Sequence, residues 1–305
     1  MKVFGPGSVA MRIYPHPELG VPDQVTEMLA QARLAVERGF DGVMPAEQHD
    51  GFGGYLPDPL QLARWLLADL PGGWVSPGPM ILPLRPAVPL AAEVARLGAR
   101  FPGRVGLGVC AGSQTADFAL LGVPTGDLTH RFGRGLAELA AALRGASSSI
   151  AGSSAIAESA PAPVPLVCGT TSGAGARRAA RLKAGLFFDA STRPGRIRQL
   201  TDAYRAEGGN GPRCLMRAVW LGPKPAGSAH WPRTDVLSFP DPAEVANRVA
   251  EGLWASGTDS VNLRVHFAGV TPELAREQIV RLGQEVVPRL RRTIAPIPEQ
   301  PRFRA

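Results

Sequence analysis

Phe40-Asp41-Gly42-Val43-Met44-Pro45-Ala46-Glu47-Gln48-His49-Asp50-Gly51-Phe52 opens as an apolar run and closes in a cluster of ionisable groups. Segments with helical spacing stand on either side, at 22–38 and 59–70. A strand between two helices is the unit of a parallel α/β sheet. Buried on both faces, it reads as a continuous apolar run rather than an alternating one. Ligands in parallel folds bind where the strands end. Glu47, Gln48 and His49 therefore read as one wall of a site.

The same alternation extends outward in both directions. Residues 3–9, Gly-rich, read as a first strand and turn, and Gly39 stops the helix at 22–38. Pro57-Asp58-Pro59 starts the next helix and Pro71-Gly72-Gly73 ends it. Residues 74–84 form a third apolar strand, although Pro77, Pro79 and Pro83 are unusual for a central one. Helix 87–99, strand 104–110 and helix 131–144 follow. After them come strand 164–168, helix 174–184, strand 186–190, helix 196–207, strand 214–221, helix 242–256, strand 260–266 and helix 272–291. Eight strand–helix units in 305 residues predict one α/β domain over 1–305, a closed (β/α)8 TIM barrel. An open doubly wound sheet would carry a glycine-rich fingerprint after its first strand. Gly5-Pro6-Gly7 does not serve, because Pro6 lacks an N–H and no helix starts there. Residues 145–163, rich in Ser, Ala and Pro, read as a flexible surface loop, and 295–305 as a Pro-rich tail.

Composition narrows the class. With 45% hydrophobic and 19% charged residues the chain is ordinary for a globular protein. At this length it buries roughly 75% of its unfolded surface, so neither disulfide nor metal is required for stability. The net charge is +7, and Lys2, Lys183 and Lys224 are the only lysines among 33 basic residues. The arginines are scattered over helix faces without a run of like charge, which argues against nucleic-acid binding and suits an anionic cofactor. Cys110, Cys168 and Cys214 are odd in number and set in apolar runs, as reduced thiols of a cytoplasmic protein are. No stretch reads as a secretion signal or a membrane span.

In a barrel the residues just past each strand share one ring. Here that ring holds Glu47, Gln48 and His49; Pro83 and Arg85; Cys110, Ala111, Gly112 and Ser113; Gly169, Thr170, Thr171 and Ser172; Asp189 to Arg193; Trp220; and Arg264 and His266. Nothing in it has metal-ligand spacing. Gly169-Thr170-Thr171-Ser172-Gly173 offers hydroxyls and free N–H groups at a positive helix end, where a phosphate fits; the same residues equally suit a plain helix N-cap. The imidazole side chain type makes His49 a usable proton donor or acceptor, or it is a packed histidine. Cys110 reads as a buried thiol in the absence of a neighbouring cation. Phe52, Tyr55 and Trp220 suggest an apolar, aromatic pocket, or core.

Ala46-Glu47-Gln48-His49, Leu82-Pro83-Leu84-Arg85-Pro86, Arg104-Val105-Gly106-Leu107-Gly108-Val109-Cys110-Ala111-Gly112-Ser113, Asp117-Phe118, Leu121-Gly122-Val123-Pro124, Arg131-Phe132 and Asn262-Leu263-Arg264-Val265-His266 together resemble the bacterial luciferase-like flavin-dependent oxidoreductase family, nearly end to end. The resemblance implies a (β/α)8 barrel, usually dimeric, with flavin at the C-terminal mouth. It implies a monooxygenase that receives reduced FMN from a separate flavin reductase and uses dioxygen on a small organic substrate. Other members instead use 8-hydroxy-5-deazaflavin and transfer hydride. A flavin-binding protein without catalysis is a third possibility on the same barrel. Cofactor contacts are expected from Gly78, Pro79, Met80, Cys110, Ala111, Gly112, Gly169, Thr170, Thr171, Ser172 and Gly173. Catalysis is expected from His49 and Glu47, and substrate contacts from Gln48, Phe52, Trp220, Arg264 and His266. Two departures stand out. Gln48 replaces a histidine common in monooxygenase members, which leaves acid–base work to His49. Ala111 replaces an arginine that binds the flavin phosphate in many FMN members, whereas deazaflavin members more often read Gly-Ala-Gly there. Finally, the family's cis peptide in the third strand maps onto Gly78–Pro79, where proline lowers the cost of the cis form to about 0.5–1 kcal/mol.

Overall fold

The computed structural model describes residues 2–49, 56–146, 154–223, 236–267 and 269–294. Phe52, Tyr55 and the 295–305 tail lie outside the described residues. The parallel strands run β1 (Val9–Ile13), β2 (Gly42–Pro45), β3 (Trp74–Val75), β4 (Met80–Ile81), β5 (Leu107–Cys110), β6 (Leu166–Gly169), β7 (Gly185–Phe188), β8 (Arg213–Leu221), β9 (Val236–Phe239) and β10 (Ser260–Arg264). Their order is β3-β2-β1-β10-β8-β7-β6-β5-β4, with β9 added beside β8.

β3 and β4 are two halves of one strand, and through it the sheet closes on itself. On one side Ser76 N–H donates to Val43 (3.0 Å) and Gly78 N–H to Pro45 (2.7 Å). On the other, Gly106 N–H donates to Val75 (3.0 Å) and Gly108 N–H to Pro77 (3.1 Å). Counting the halves as one and leaving β9 aside gives eight strands in a closed (β/α)8 barrel, the expected fold. The break at 76–79 contains Pro77 and Pro79, and the Gly78–Pro79 bond is cis, as anticipated.

Two apolar layers result. Ala10, Met44, Trp74, Val167, Phe187, Cys214 and Met216 fill the barrel with Val3 and Phe4. The outer faces of the strands pack on the helices, whose apolar stripes complete the larger core. Pro59–Asp69 is capped by Asp58, whose carboxylate accepts from the N–H groups of Leu60 and Gln61 at 3.0 and 3.1 Å. Pro242–Ser256 is capped by Asp241 and ends at Gly257 in the left-handed region (φ 69°).

Four expectations change. The first strand is Val9–Ile13, not 3–9: five buried residues without alternation, with Arg12 hidden among them. Val3 and Phe4 instead turn inward at the base, the Phe4 ring lying 5.0 Å from that of Trp74. Part of the 145–163 loop is helical, Ser154–Ser159, anchored by buried Ile156, a single apolar residue too isolated to give a period. Strand β9 was not anticipated. Its four residues, Val236 buried and the other three half-buried, extend the rim above β7, where the long β8 outruns its neighbour. The last helix is continuous but passes through a π turn, Leu282–Val286, before Pro288.

Candidate functional site at the barrel mouth

Glu47 follows β2 with its side chain fully buried. One carboxylate oxygen accepts the Ile81 N–H at 2.7 Å; the other accepts from His49 Nε2 at 2.7 Å and from the Arg85 guanidinium. A carboxylate only accepts, so His49 carries its proton on Nε2 when neutral. Glu47 thus ties β2 to β4 and fixes the His49 ring. Gln48 exchanges backbone hydrogen bonds with Leu56 (2.9 and 3.0 Å), which folds the chain back immediately beyond His49.

Beside this wall, β1 and β10 supply charged side chains. Arg12 and Tyr14 are two residues apart and share the inner face. Arg12 Nη1 donates to Gly78 O at 2.7 Å and Nε to Tyr14 Oη at 3.3 Å. The Arg264 guanidinium lies 4.4 Å from the Tyr14 ring centroid, and its Nε donates to His266 O at 2.9 Å. Burial alone would raise the Tyr14 phenol, but the Arg12 and Arg264 charges and the Arg12 hydrogen bond outweigh it and hold the phenol below its ordinary pKa. Burial pulls Arg264 down to about 10. His266 is held well below the ordinary histidine value, by burial first and then by His16 and Arg264. Arg12 and Tyr14 escaped sequence reading, although an arginine inside an apolar run, with a tyrosine two residues on, marks a functional inner face.

Across the ring, β5 ends in Cys110, Ala111 and Gly112. Gly112 has φ 83°, and a Cβ there would lie 2.6 Å from Phe118 and 2.9 Å from Ile81, so only glycine fits. Burial pushes the Cys110 thiol up to about 12, as it does those of Cys168 and Cys214. At neutral pH they are therefore protonated. The turn after β6 caps the helix Gly173–Arg181: Ser172 Oγ accepts the Gly175 N–H at 3.1 Å. Thr170 Oγ1 bonds Ser172 on both its N–H and its carbonyl at 3.3 Å, and Arg196 holds the Thr171 carbonyl at 2.8 Å. The first-turn amides of Gly173 and Ala174 have no acceptor within the helix. Arg177 Nη1 stands 3.4 Å from where a Gly173 Cβ would be. The capping role is therefore real, and donors for an anion remain beside it.

Met80 is a correction. Alternation from Trp74, which fills the barrel, would put Met80 inside as well. The break at 76–79 shifts the phase, and Met80 is fully buried in the layer shared with the helices, opposite Val109. Trp220, on β8, is buried with its ring 6.1 Å from that of Phe267. All strands run one way, so His49, His266, Gly112 and the Thr170–Ser172 turn stand at the same end of the barrel. Among the described residues no cluster of three metal-ligating side chains occurs, and no helix is long and apolar enough to cross a membrane.

The fold has many solved relatives. Monooxygenase RslO1 from Streptomyces bottropensis superposes with TM-score 0.75 at 16% identity, over 92% of this chain and 99% of that one. The oxygenating constituent of 3,6-diketocamphane monooxygenase from the CAM plasmid of Pseudomonas putida, solved with FMN, gives 0.73 at 14% identity, over 93% and 99%. An F420-dependent secondary alcohol dehydrogenase, solved with an F420–acetone adduct, also gives 0.73 at 14%, over 95% and 99%. At such identities the likeness is one of fold. Among curated proteins none matches. The family profile described as luciferase-like monooxygenase, however, matches residues 7–277. With nearly the whole barrel covered, the chain belongs to the luciferase-like monooxygenase family.

Proposed function

We propose that the protein is a monooxygenase that uses reduced FMN and dioxygen to oxygenate a small organic substrate at the barrel mouth. One observation carries this reading: a histidine fixed by a buried carboxylate, and a helix end with unused N–H donors and an arginine, open onto the same mouth. The donor set fits a phosphate-tailed cofactor. Gly173, Ala174 and Arg177 would hold the phosphate in place of the arginine missing at Ala111, with Thr170, Thr171 and Ser172 shaping the turn. Gly112 and the Gly78–Pro79 segment, to which Arg12 is bonded, would bear the ring system.

Bound reduced FMN supplies the electrons with which dioxygen is split, one oxygen atom passing to substrate and the other to water. The chain's own residues bind, orient and keep the site dry. His49, fixed by Glu47, orients the substrate and exchanges a proton with it. Ile81, Phe187 and Trp220 exclude water. Gln48, Arg264 and His266 line the substrate side. Electrons come from a separate flavin reductase, and the protein works in the cytoplasm as a homodimer.

A second reading, hydride transfer with 8-hydroxy-5-deazaflavin, is favoured by one residue, Ala111, where FMN-dependent members often carry arginine. Fluorescence titration with FMN, anaerobically reduced FMN and the deazaflavin separates the two. The proposal expects saturable binding of reduced FMN. Binding of the deazaflavin alone would replace it with the second reading, and no binding of any flavin would remove both.

A further inference from the structure

A chain of buried polar side chains runs from helix Val21–Glu37 to the mouth, and its hydrogens can be assigned without ambiguity. One Glu27 oxygen accepts from Arg276 Nη1 at 3.0 Å and the other from Gln31 Nε2 at 2.8 Å. Because a carboxylate only accepts, that end of the Gln31 amide must be its NH2, which turns the amide oxygen the other way. The oxygen lies 2.7 Å from His266 Nε2, so that nitrogen carries the hydrogen. The second Gln31 N–H points at His16 Nε2 (2.8 Å), and His16 Nδ1 in turn stands 3.3 Å from Glu18. A neutral imidazole has one N–H, and burial keeps His266 neutral. His266 Nδ1 is therefore a bare acceptor. It is buried and has no hydrogen-bond partner among the described residues. It sits two residues past β10, with the Tyr14 and His16 rings 5.8 and 5.4 Å from its own and Arg264 bonded to its carbonyl. A buried acceptor left unpaired is rare, because it forfeits its hydration without return.

We infer that His266 Nδ1 is the preset acceptor for an O–H or N–H donor on the molecule bound at the mouth, with Glu27 and Gln31 as the positioning residues that fix its tautomer. The inference rests on the reading of the mouth as the ligand site. It adds a requirement on the ligand: a hydrogen-bond donor directed at the β10–β1 side of the ring. A molecule with only acceptors there would leave Nδ1 unpaired and bind more weakly, so the residue selects for hydroxyl- or N–H-bearing ligands.

The test uses the full-length protein labelled with 15N-histidine, with the His266 signals assigned by their loss in His266→Phe. Long-range proton–nitrogen spectra of the free protein are expected to show Nε2 protonated and Nδ1 bare. The opposite tautomer would overturn the inference. Gln31→Leu is expected to release the lock and populate the Nδ1–H form; an unchanged tautomer in this variant would remove the role given to Gln31. The Nδ1 resonance is then followed with oxidised FMN, with the deazaflavin and with phenol as a minimal hydroxyl donor, each added separately. An upfield shift with a flavin assigns the donor to the cofactor, and one with phenol alone assigns it to the substrate. No shift with any of the three overturns the inference. The ligand that shifts it should bind His266→Phe roughly two- to ten-fold more weakly. Failure of both flavins to bind in the fluorescence titration would sink the monooxygenase reading while leaving the tautomer and phenol results to stand or fall alone.

Discussion

Removing Arg85 should destabilise the protein far more than a surface ion pair would. The Glu47 side chain is fully buried, and among the described residues Arg85 is its only cationic partner besides the imidazole of His49. Arg85→Ala leaves a buried carboxylate with the Ile81 N–H and the His49 ring as its remaining donors. Breaking a buried pair from one side costs about 3–5 kcal/mol. Arg85 itself is 23% exposed, and water entering through its vacated space relieves part of the charge, so the low end, about 3 kcal/mol, is expected. Glu47→Gln keeps an acceptor for Ile81 and strands a cation that water can reach; about 1–2 kcal/mol is expected. In Arg85→Ala/Glu47→Gln neither charge is stranded, so the double variant should cost at least about 1 kcal/mol less than the sum of the singles. Urea unfolding of the four proteins, followed by tryptophan fluorescence, gives the cycle. A loss below about 1 kcal/mol for Arg85→Ala, or additivity within about 0.5 kcal/mol, would refute the argument that this carboxylate needs its cation.

Three further outcomes can be checked. Because the folded protein holds His266 well below the ordinary value of about 6.5, unfolding exposes a group that then binds a proton, and stability falls as the pH drops below about 6.5. Between pH 7.5 and 5.5 this residue should account for a loss of stability on the order of 1 kcal/mol, absent from His266→Phe; superimposable pH profiles would contradict it. Arg177→Ala should weaken FMN binding about ten-fold or more while leaving riboflavin, which has no phosphate, unchanged; equal losses for both would place the phosphate elsewhere. With its pKa near 12, Cys110 is thiolate to only about one part in ten thousand at pH 8, so thiol reagents should modify it only upon unfolding; rapid labelling of the native protein would show a reactive thiol.

Much of the fold was legible because its signals are local. A parallel barrel strand is buried on both faces, so 40–46 and 214–221 declare themselves as apolar runs, and Asp58-Pro59 and Asp241-Pro242 mark helix starts by their own chemistry. Pairing in a parallel sheet then brings every strand end to one face, which is why Glu47, His49, Gly112 and the Thr170–Ser172 turn could be grouped before any coordinates. The cis Gly78–Pro79 bond was anticipated through the family resemblance, whose third-strand cis peptide maps onto it.

Other features depended on contacts between residues far apart in the chain. That the Glu47 oxygens are bonded by Ile81 and Arg85, 34 and 38 residues away, cannot be read from its own stretch. His266 and Gln31 are 235 residues apart, and no local pattern relates them; yet their hydrogen bond decides which histidine nitrogen is left without a hydrogen. Met80 sits on the outer side of its strand because a break at 76–79 resets an alternation that sequence can only continue. Sequence alone determined the barrel and the end of it that carries the site, since hydrophobic period and strand direction are properties of each segment. Only tertiary structure decided which side chains are held, which are spent on one another and which are left to meet a ligand, because hydrogen bonds and charge pairs are satisfied in space, not along the chain.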